Sequence, residues 1–322
     1  MLKDNDQSII KALHIYQGSM YDTVKPLLPF EDFLIFIRSH LCLGLIYKRR
    51  NEEFSVENII NDIESSSFSE TISEIHSIFY DLGLKKSYYK ILKSDNICLI
   101  IDEKTKNVIN ALKDINKNIQ SQLHLLDFFT KSFDNRRNDI LSSSGLDQFI
   151  DQLALNNLSN ENILFPYLQN AYLPIRTALL NPNSKVTAYE IITIKHAYAT
   201  LLKLFFNLQS LRLINKSWLH QSISNAGDVE LYDLILNFAP LGLSLTSPVP
   251  DPENYPKEFN RSTKTTEVYE QHKMLRHLKN SGNGYLLTGK YFSFSAKNVF
   301  KFVRNKLLKD QNIQTIFRLP GG

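Results

Sequence analysis

The chain has 322 residues, 43% of them hydrophobic and 22% charged, with a formal net charge of +4. That length and balance fit a globular protein with a sizeable core and room for two domains, and they exclude a fibrous chain or a highly charged disordered one. The small positive charge permits an anionic partner such as nucleic acid without requiring one.

The N-terminus, "MLKDNDQSII", lacks a basic start leading into a long apolar stretch, and no apolar run reaches the roughly 20 residues needed to cross a bilayer. A cytoplasmic protein with no membrane partner is expected. The two cysteines, Cys42 in "SHLCLGLI" and Cys98 in "DNICLII", have no second Cys or His at metal-ligand spacing. Free buried thiols are therefore expected, and no metal site.

Residues 1–157 predict a mainly helical N-terminal domain. Apolar residues recur at three- and four-residue spacing in "FEDFLIFIRSHLCLGLIYKRR", "SETISEIHSIFYDLG" and "TKNVINALKDINKNIQSQLHLLDFFTKSF". One interruption, near 88–103, predicts a β-hairpin, because two short apolar runs flank the turn signal "KSDN". The polar stretch "DNRRNDILSSSGLDQFIDQLALNNLSNEN" then reads as a linker entering a helix.

From residue 158 to 322 the texture changes to an α/β domain. Strand "NILF", helix "AYLPIRTALL", strand "KVTAYEI", helix "TIKHAYATLLKLFFNL", strand "QSLRLIN" and strand "LYDLILNF" come first. After a polar loop follow helix "TEVYEQHKMLRHLKN", strand "GYLLTG", helix "SAKNVFKFVRNKLLKD" and strand "IQTIFRLP". Strands alternating with helices of this length predict right-handed crossovers and a doubly wound parallel sheet, whose ligands bind beyond the carboxyl ends of the strands.

The order and spacing of "KVTAYEI", "YDLILNFAPLG", "HLKNSGNGYLLTG" and "VRNKLLKDQNIQTIFRLPGG" resemble the adenine-specific DNA methyltransferases, above all the methylation subunit of type I restriction-modification systems. The resemblance is strongest from about Lys185 onward; within residues 1–157 only helical character and size match. It implies a helical N-terminal domain followed by an S-adenosylmethionine-dependent methyltransferase-like (Rossmann-like) sheet. Family members continue past the position of "LPGG", so the family's C-terminal extension is expected to be absent.

The family's first strand ends in an Asp-Pro-x-Cys-Gly-x-Gly turn, whose glycines let the backbone approach the cofactor. In "NILFPYLQNAYLP" the resemblance keeps Pro166, places Phe165 at the Asp, and sets Gln169 and Ala171 at the glycines. Glu190 matches the acid that grips the cofactor's ribose hydroxyls; equally, a carboxylate there suits the start of the next helix. The fourth strand of the family ends in Asn-Pro-Pro-aromatic, whose amide and backbone carbonyl accept from the target adenine's amine while the ring stacks on the flipped base.

Aligned without a gap, "YDLILNFAPLG" keeps Asp233, Pro240 and Gly242 but puts Phe238 at the Asn, Ala239 at the first Pro and Leu241 at the aromatic. A one-residue bulge would instead bring Asn237 into register. In "FNRSTKTTE", Arg261 and Lys264 stand where the family faces DNA. The basic residues Lys297, Lys301 and Arg304 line one face of a helix, as a solvated surface or a phosphate-contacting one.

Three readings follow. The first is a degenerate, catalytically inactive DNA methyltransferase-like protein with no cofactor, partnering DNA and an active methyltransferase or specificity subunit, and open to oligomerisation. The second is a divergent active adenine methyltransferase using S-adenosylmethionine. The third is a nucleic-acid-binding scaffold unrelated to methylation.

Overall fold

The computed structural model describes residues 4–24, 30–49, 95–112, 119–130, 158, 160–220, 230–238, 255–259, 265–311, 313 and 316. Among the described residues four helices precede the sheet: α1 (Asp4–Val24), α2 (Phe30–Arg49), α3 (Asp95–Ala111) and α4 (Ile119–Thr130). Helix α3 corrects the expected hairpin from residue 95 onward; residues 88–94 lie outside the described residues. Ser, Asp and Asn are as common at helix starts as in turns, so "KSDN" signals either. Helical spacing decides the matter: Ile101, Thr105, Val108, Ile109 and Leu112 are all buried on one face.

Five strands form one sheet: β1 (Asn162–Phe165), β2 (Lys185–Tyr189), β3 (Leu211–Ile214), β4 (Tyr232–Asn237) and β5 (Leu278–Leu286). Their order is β3-β2-β1-β4-β5 and every pairing is parallel. The chain winds outward from β1 to β3 and then returns to the other side of β1 with β4. The strand order therefore reverses between β1 and β4, and the crevice beyond the carboxyl ends of those two strands is the ligand position of such a sheet. β1, β2 and β4 read as near-continuous apolar runs because helices cover both their faces.

Between the strands lie α5 (Tyr172–Leu180) and α6 (Thr193–Phe206); α7 (Thr266–His277), α8 (Lys290–Phe294) and α9 (Asn298–Asp310) follow β4. The sequence extends α7 to residue 280 and starts β5 at 284, whereas the helix ends at His277 and the strand begins at Leu278. β5 bulges against β4, where Tyr232 pairs with Leu278 but Leu234 pairs with Asn283. Gly282 sits in that bulge, and a Cβ there would lie 3.0 Å from the carbonyl oxygens of both Tyr232 and Asp233. The bulge requires glycine because the two backbones approach so closely. The expected last strand, 313–320, lies almost wholly outside the described residues.

The largest core does not stop at the start of the sheet. Leu41 and Cys42 of α2 and Phe129 of α4 share one buried cluster with Ile163, Phe165, Val186, Leu234 and Phe238 of the strands and with Leu201 and Phe205 of α6. Polar bonds pin the same seam: Arg38 and Tyr198 each donate to the Phe129 carbonyl at 3.1 Å. Arg49 donates to the Phe205 carbonyl with its guanidinium 4.4 Å from that ring's centre. Cys42 is a buried free thiol, as expected. The opposite sheet face packs Leu164, Tyr189, Ile235 and Trp218 on Met274 of α7, and α9 packs outside α7 through Val268, Val299, Phe300 and Val303. Among the described residues no helix is long and apolar enough to cross a membrane.

Candidate functional site at the strand-order reversal

The loop after β1 is set by short-range bonds. Phe165 is 1% exposed and belongs to the core; Pro166 is buried behind it. The Leu168 amide donates to the Tyr189 carbonyl at 2.8 Å, tying the loop to the end of β2, and the Ala171 amide donates to the Leu168 carbonyl at 2.9 Å. Gln169 (φ 54°) and Ala171 (φ 66°, ψ −5°) both lie in the left-handed region. For a residue with a Cβ that conformation costs about 1–2 kcal/mol, so glycine is its natural occupant. The loop thus holds glycine-type backbone at the two positions where the sequence resemblance sets the family's glycines, with side chains attached.

The side chain of Gln169 crosses the crevice. Its Nε2 donates to the backbone carbonyl of Phe238, just past the end of β4. Its Oε1 is buried with no hydrogen-bond partner. From Leu234 to Asn237 strand β4 pairs residue for residue with Asn283 to Leu286, and the irregularity lies upstream, between Tyr232 and Leu234. Side chains therefore alternate regularly into the strand end. Leu234, Leu236 and Phe238 enter the large core, while Asn237 takes the Ile235 face. Asn237 is 1% exposed and neither atom of its amide has a partner. Ala239, Pro240 and Leu241 lie outside the described residues, as do Arg261 and Lys264.

Glu190 lies between the end of β2 and the start of α6. It is 9% exposed, its Oε1 accepts from the Ile192 amide at 2.8 Å ahead of α6, and its own amide donates to the Ile214 carbonyl at 3.0 Å. Arg304, grouped in the sequence with two surface lysines, donates to the carbonyls of Phe292 and Ser295 at 2.6 and 2.7 Å and fastens α8 to α9.

Sequence reasoning passes over the far wall, which is built by the first turns of α7. Tyr167 donates its hydroxyl to the Glu270 carboxylate, and Glu270 is 1% exposed. Burial pushes the Glu270 carboxyl up to about 7, with the bonds from Tyr167 and Thr266 pulling it down and the nearby charge of Glu267 pushing it further up. Glu267 in turn accepts from the Gly289 amide, at 2.8 Å, beyond β5. Gln271 is fully buried, and both atoms of its amide lack partners. Nothing local in "TEVYEQHKMLRH" marks these residues as interior, since a helix polar on most faces reads as solvated; the contact between Tyr167 and Glu270 spans 103 residues.

The group that the sequence resemblance implies, S-adenosylmethionine, does not fit this arrangement. Side chains stand at both positions that the resemblance gives to glycine, and one of them, Gln169, is bonded to the Phe238 carbonyl past the end of β4. Phe165 offers the group no polar atom. Among the described residues no three His, Cys, Asp or Glu side chains gather as a metal site.

No family model and no curated protein matches the sequence. Solved structures do match the fold. A type I restriction-modification methyltransferase subunit from Streptococcus thermophilus shares 12% identity, over 94% of this chain and 79% of its own, with a TM-score of 0.56. A protein described as the modification subunit of a type I restriction enzyme, from Vibrio vulnificus, shares 13% over 93% and 75%, with a TM-score of 0.58. A protein described as a class I S-adenosylmethionine-dependent methyltransferase, from Listeria monocytogenes, shares 11% over 96% and 80%, with a TM-score of 0.54. With its five parallel strands ordered β3-β2-β1-β4-β5 and helices on both faces, the chain has a Rossmann-like α/β fold that it shares with these three structures.

Proposed function

We propose that this protein is a methyltransferase-fold subunit of a restriction-modification-type system that does not itself transfer methyl groups, and that it serves through contacts with DNA and with an active methyltransferase or specificity subunit. The observation that carries this reading is the bond from Gln169 to the Phe238 carbonyl. In an active adenine methyltransferase the cofactor lies on the glycine loop and the target amine at the end of β4, so the methyl group passes between them. Here a carboxamide of the protein fills that gap. Phe238 supports the same reading, since a phenyl packed into the core stands where an amide would meet the base.

The test is a methyl-transfer assay with radiolabelled S-adenosylmethionine on unmethylated DNA, run beside a DNA-binding titration over a range of salt concentrations. No incorporation is expected, with DNA affinity that falls as salt rises and falls further in Arg261→Glu. Label incorporated into DNA overturns the non-catalytic part. Affinity that is absent, or unchanged in Arg261→Glu, removes DNA from the list of partners.

A second reading rests on one observation. The buried, unpartnered amide of Asn237 at the end of β4 is the group a divergent active enzyme would present to a base. It requires Gln169 to leave the crevice first, and the same assay decides it.

A further inference from the structure

The loop after β1 keeps its left-handed backbone at residues 169 and 171 although neither is glycine. Such a conformation persists only where its surroundings over-determine it. Those surroundings are three hydrogen bonds: the Leu168 amide on the Tyr189 carbonyl, the Ala171 amide on the Leu168 carbonyl, and the Asn170 Oδ1 accepting from the Tyr172 amide at 3.1 Å. None of these bonds uses the side chain of Gln169 or Ala171. The backbone cradle and the side chains that fill it are therefore separable.

The Gln169 carboxamide is also an incomplete fit. Its nitrogen is bonded to the Phe238 carbonyl, yet its oxygen is buried without a donor, and across the crevice both amide atoms of Asn237 lack partners. Buried polar groups in folded proteins are almost always paired, and each exception calls for a reason. The unpartnered oxygen in the loop after β1 and the unpartnered amide at the end of β4 leave polar groups at the carboxyl ends of the two central strands that the Gln169 side chain does not satisfy.

We propose that Gln169 is a built-in occupant of the strand-end crevice, a gate residue that with Ala171 excludes ligand from an otherwise retained cofactor cradle, so that removing these two side chains alone reopens it. This rests on the reading of the crevice as a disarmed methyltransferase site. The ligand class is the adenosyl amino acid of the fold, and the probe is S-adenosylmethionine itself.

The test compares wild type, Gln169→Gly/Ala171→Gly, Gln169→Ala and the control Asn207→Gly by titration calorimetry. Asn207 is left-handed too (φ 54°), but it caps the carboxyl end of α6. The double glycine variant is expected to fold, because glycine suits both backbones, to melt at or above the wild-type temperature, and to bind at least tenfold more tightly than wild type. Gln169→Ala keeps a Cβ but frees the Phe238 carbonyl, and is expected to bind more tightly than wild type by a smaller factor. Asn207→Gly is expected to match wild type. Folded variants at residue 169 that bind no more tightly than wild type overturn the gate while leaving the non-catalytic reading standing. Micromolar binding by wild type without label transfer overturns the gate alone, whereas label transfer by wild type overturns the non-catalytic reading and the gate with it.

Discussion

The two ends of the sheet treat the sequence differently. At the amino ends, Asp233 accepts the Asn162 amide at 2.9 Å and both its oxygens accept from Lys279 at 2.8 and 2.9 Å, joining the starts of β1, β4 and β5. One carboxylate thereby ties three strands together, although the Nε2 of His277, just before β5, is buried without a partner. At the carboxyl ends the polar groups are mismatched: Asn237 and Gln271 are unpartnered, Gln169 is half bonded, and Glu270 is buried against a tyrosine. The amino ends carry an ion pair that joins three strands, whereas the carboxyl ends carry buried amides without partners.

The largest expected effect sharpens that contrast. Phe165→Asp restores the family's acid at a site that is 1% exposed and walled by apolar side chains. An unpaired carboxylate there, with the phenyl lost, should cost about 3–5 kcal/mol in denaturant unfolding. A small cost would mean that the crevice still holds water or polar partners for it. At the scaffold side, Gly282→Ala pushes a Cβ to 3.0 Å from two carbonyl oxygens and should cost about 1–3 kcal/mol. A neutral result would show that the bulge between β4 and β5 yields easily.

The smallest effect is a pH dependence. The folded protein raises Glu270 to about 7 from an ordinary 4.5, chiefly by burial, and so holds this proton more firmly than the unfolded chain does. Its stabilising contribution is complete below about pH 4.5 and is lost as pH rises through 7. Burial, aided by nearby cations, lowers His272 and His277 to about 4 from 6.5, with the opposite sign: their contribution is present above 6.5 and is lost as pH falls through 4. Melting temperatures of wild type and Glu270→Gln between pH 5 and 8 separate the two. Wild-type stability should decline toward pH 8 relative to the variant, and parallel curves would place the Glu270 proton elsewhere.

Much of the scaffold is legible in the sequence because it is written in local patterns. β1 falls on "NILF" and β4 on the Asp-headed run, since apolar stretches this short, bounded by polar clusters, suit interior strands better than helices. α3 is not legible, because a Ser-Asp-Asn cluster opens helices and turns alike. β5 begins six residues early because its bulged half, "LKNSGN", carries no apolar alternation. At the site, the substitutions at residues 165, 169, 171 and 238 are visible from the sequence alone. What they do is not. The reach of Gln169 to the Phe238 carbonyl joins residues 69 apart, the Tyr167 to Glu270 contact is longer still, and no local rule links them.

The central claim is that the crevice between β1 and β4 is closed by the protein itself. Titration calorimetry of the wild-type chain with S-adenosylmethionine tests it most directly. No saturable heat is expected at micromolar cofactor. A Kd in the micromolar range would contradict it.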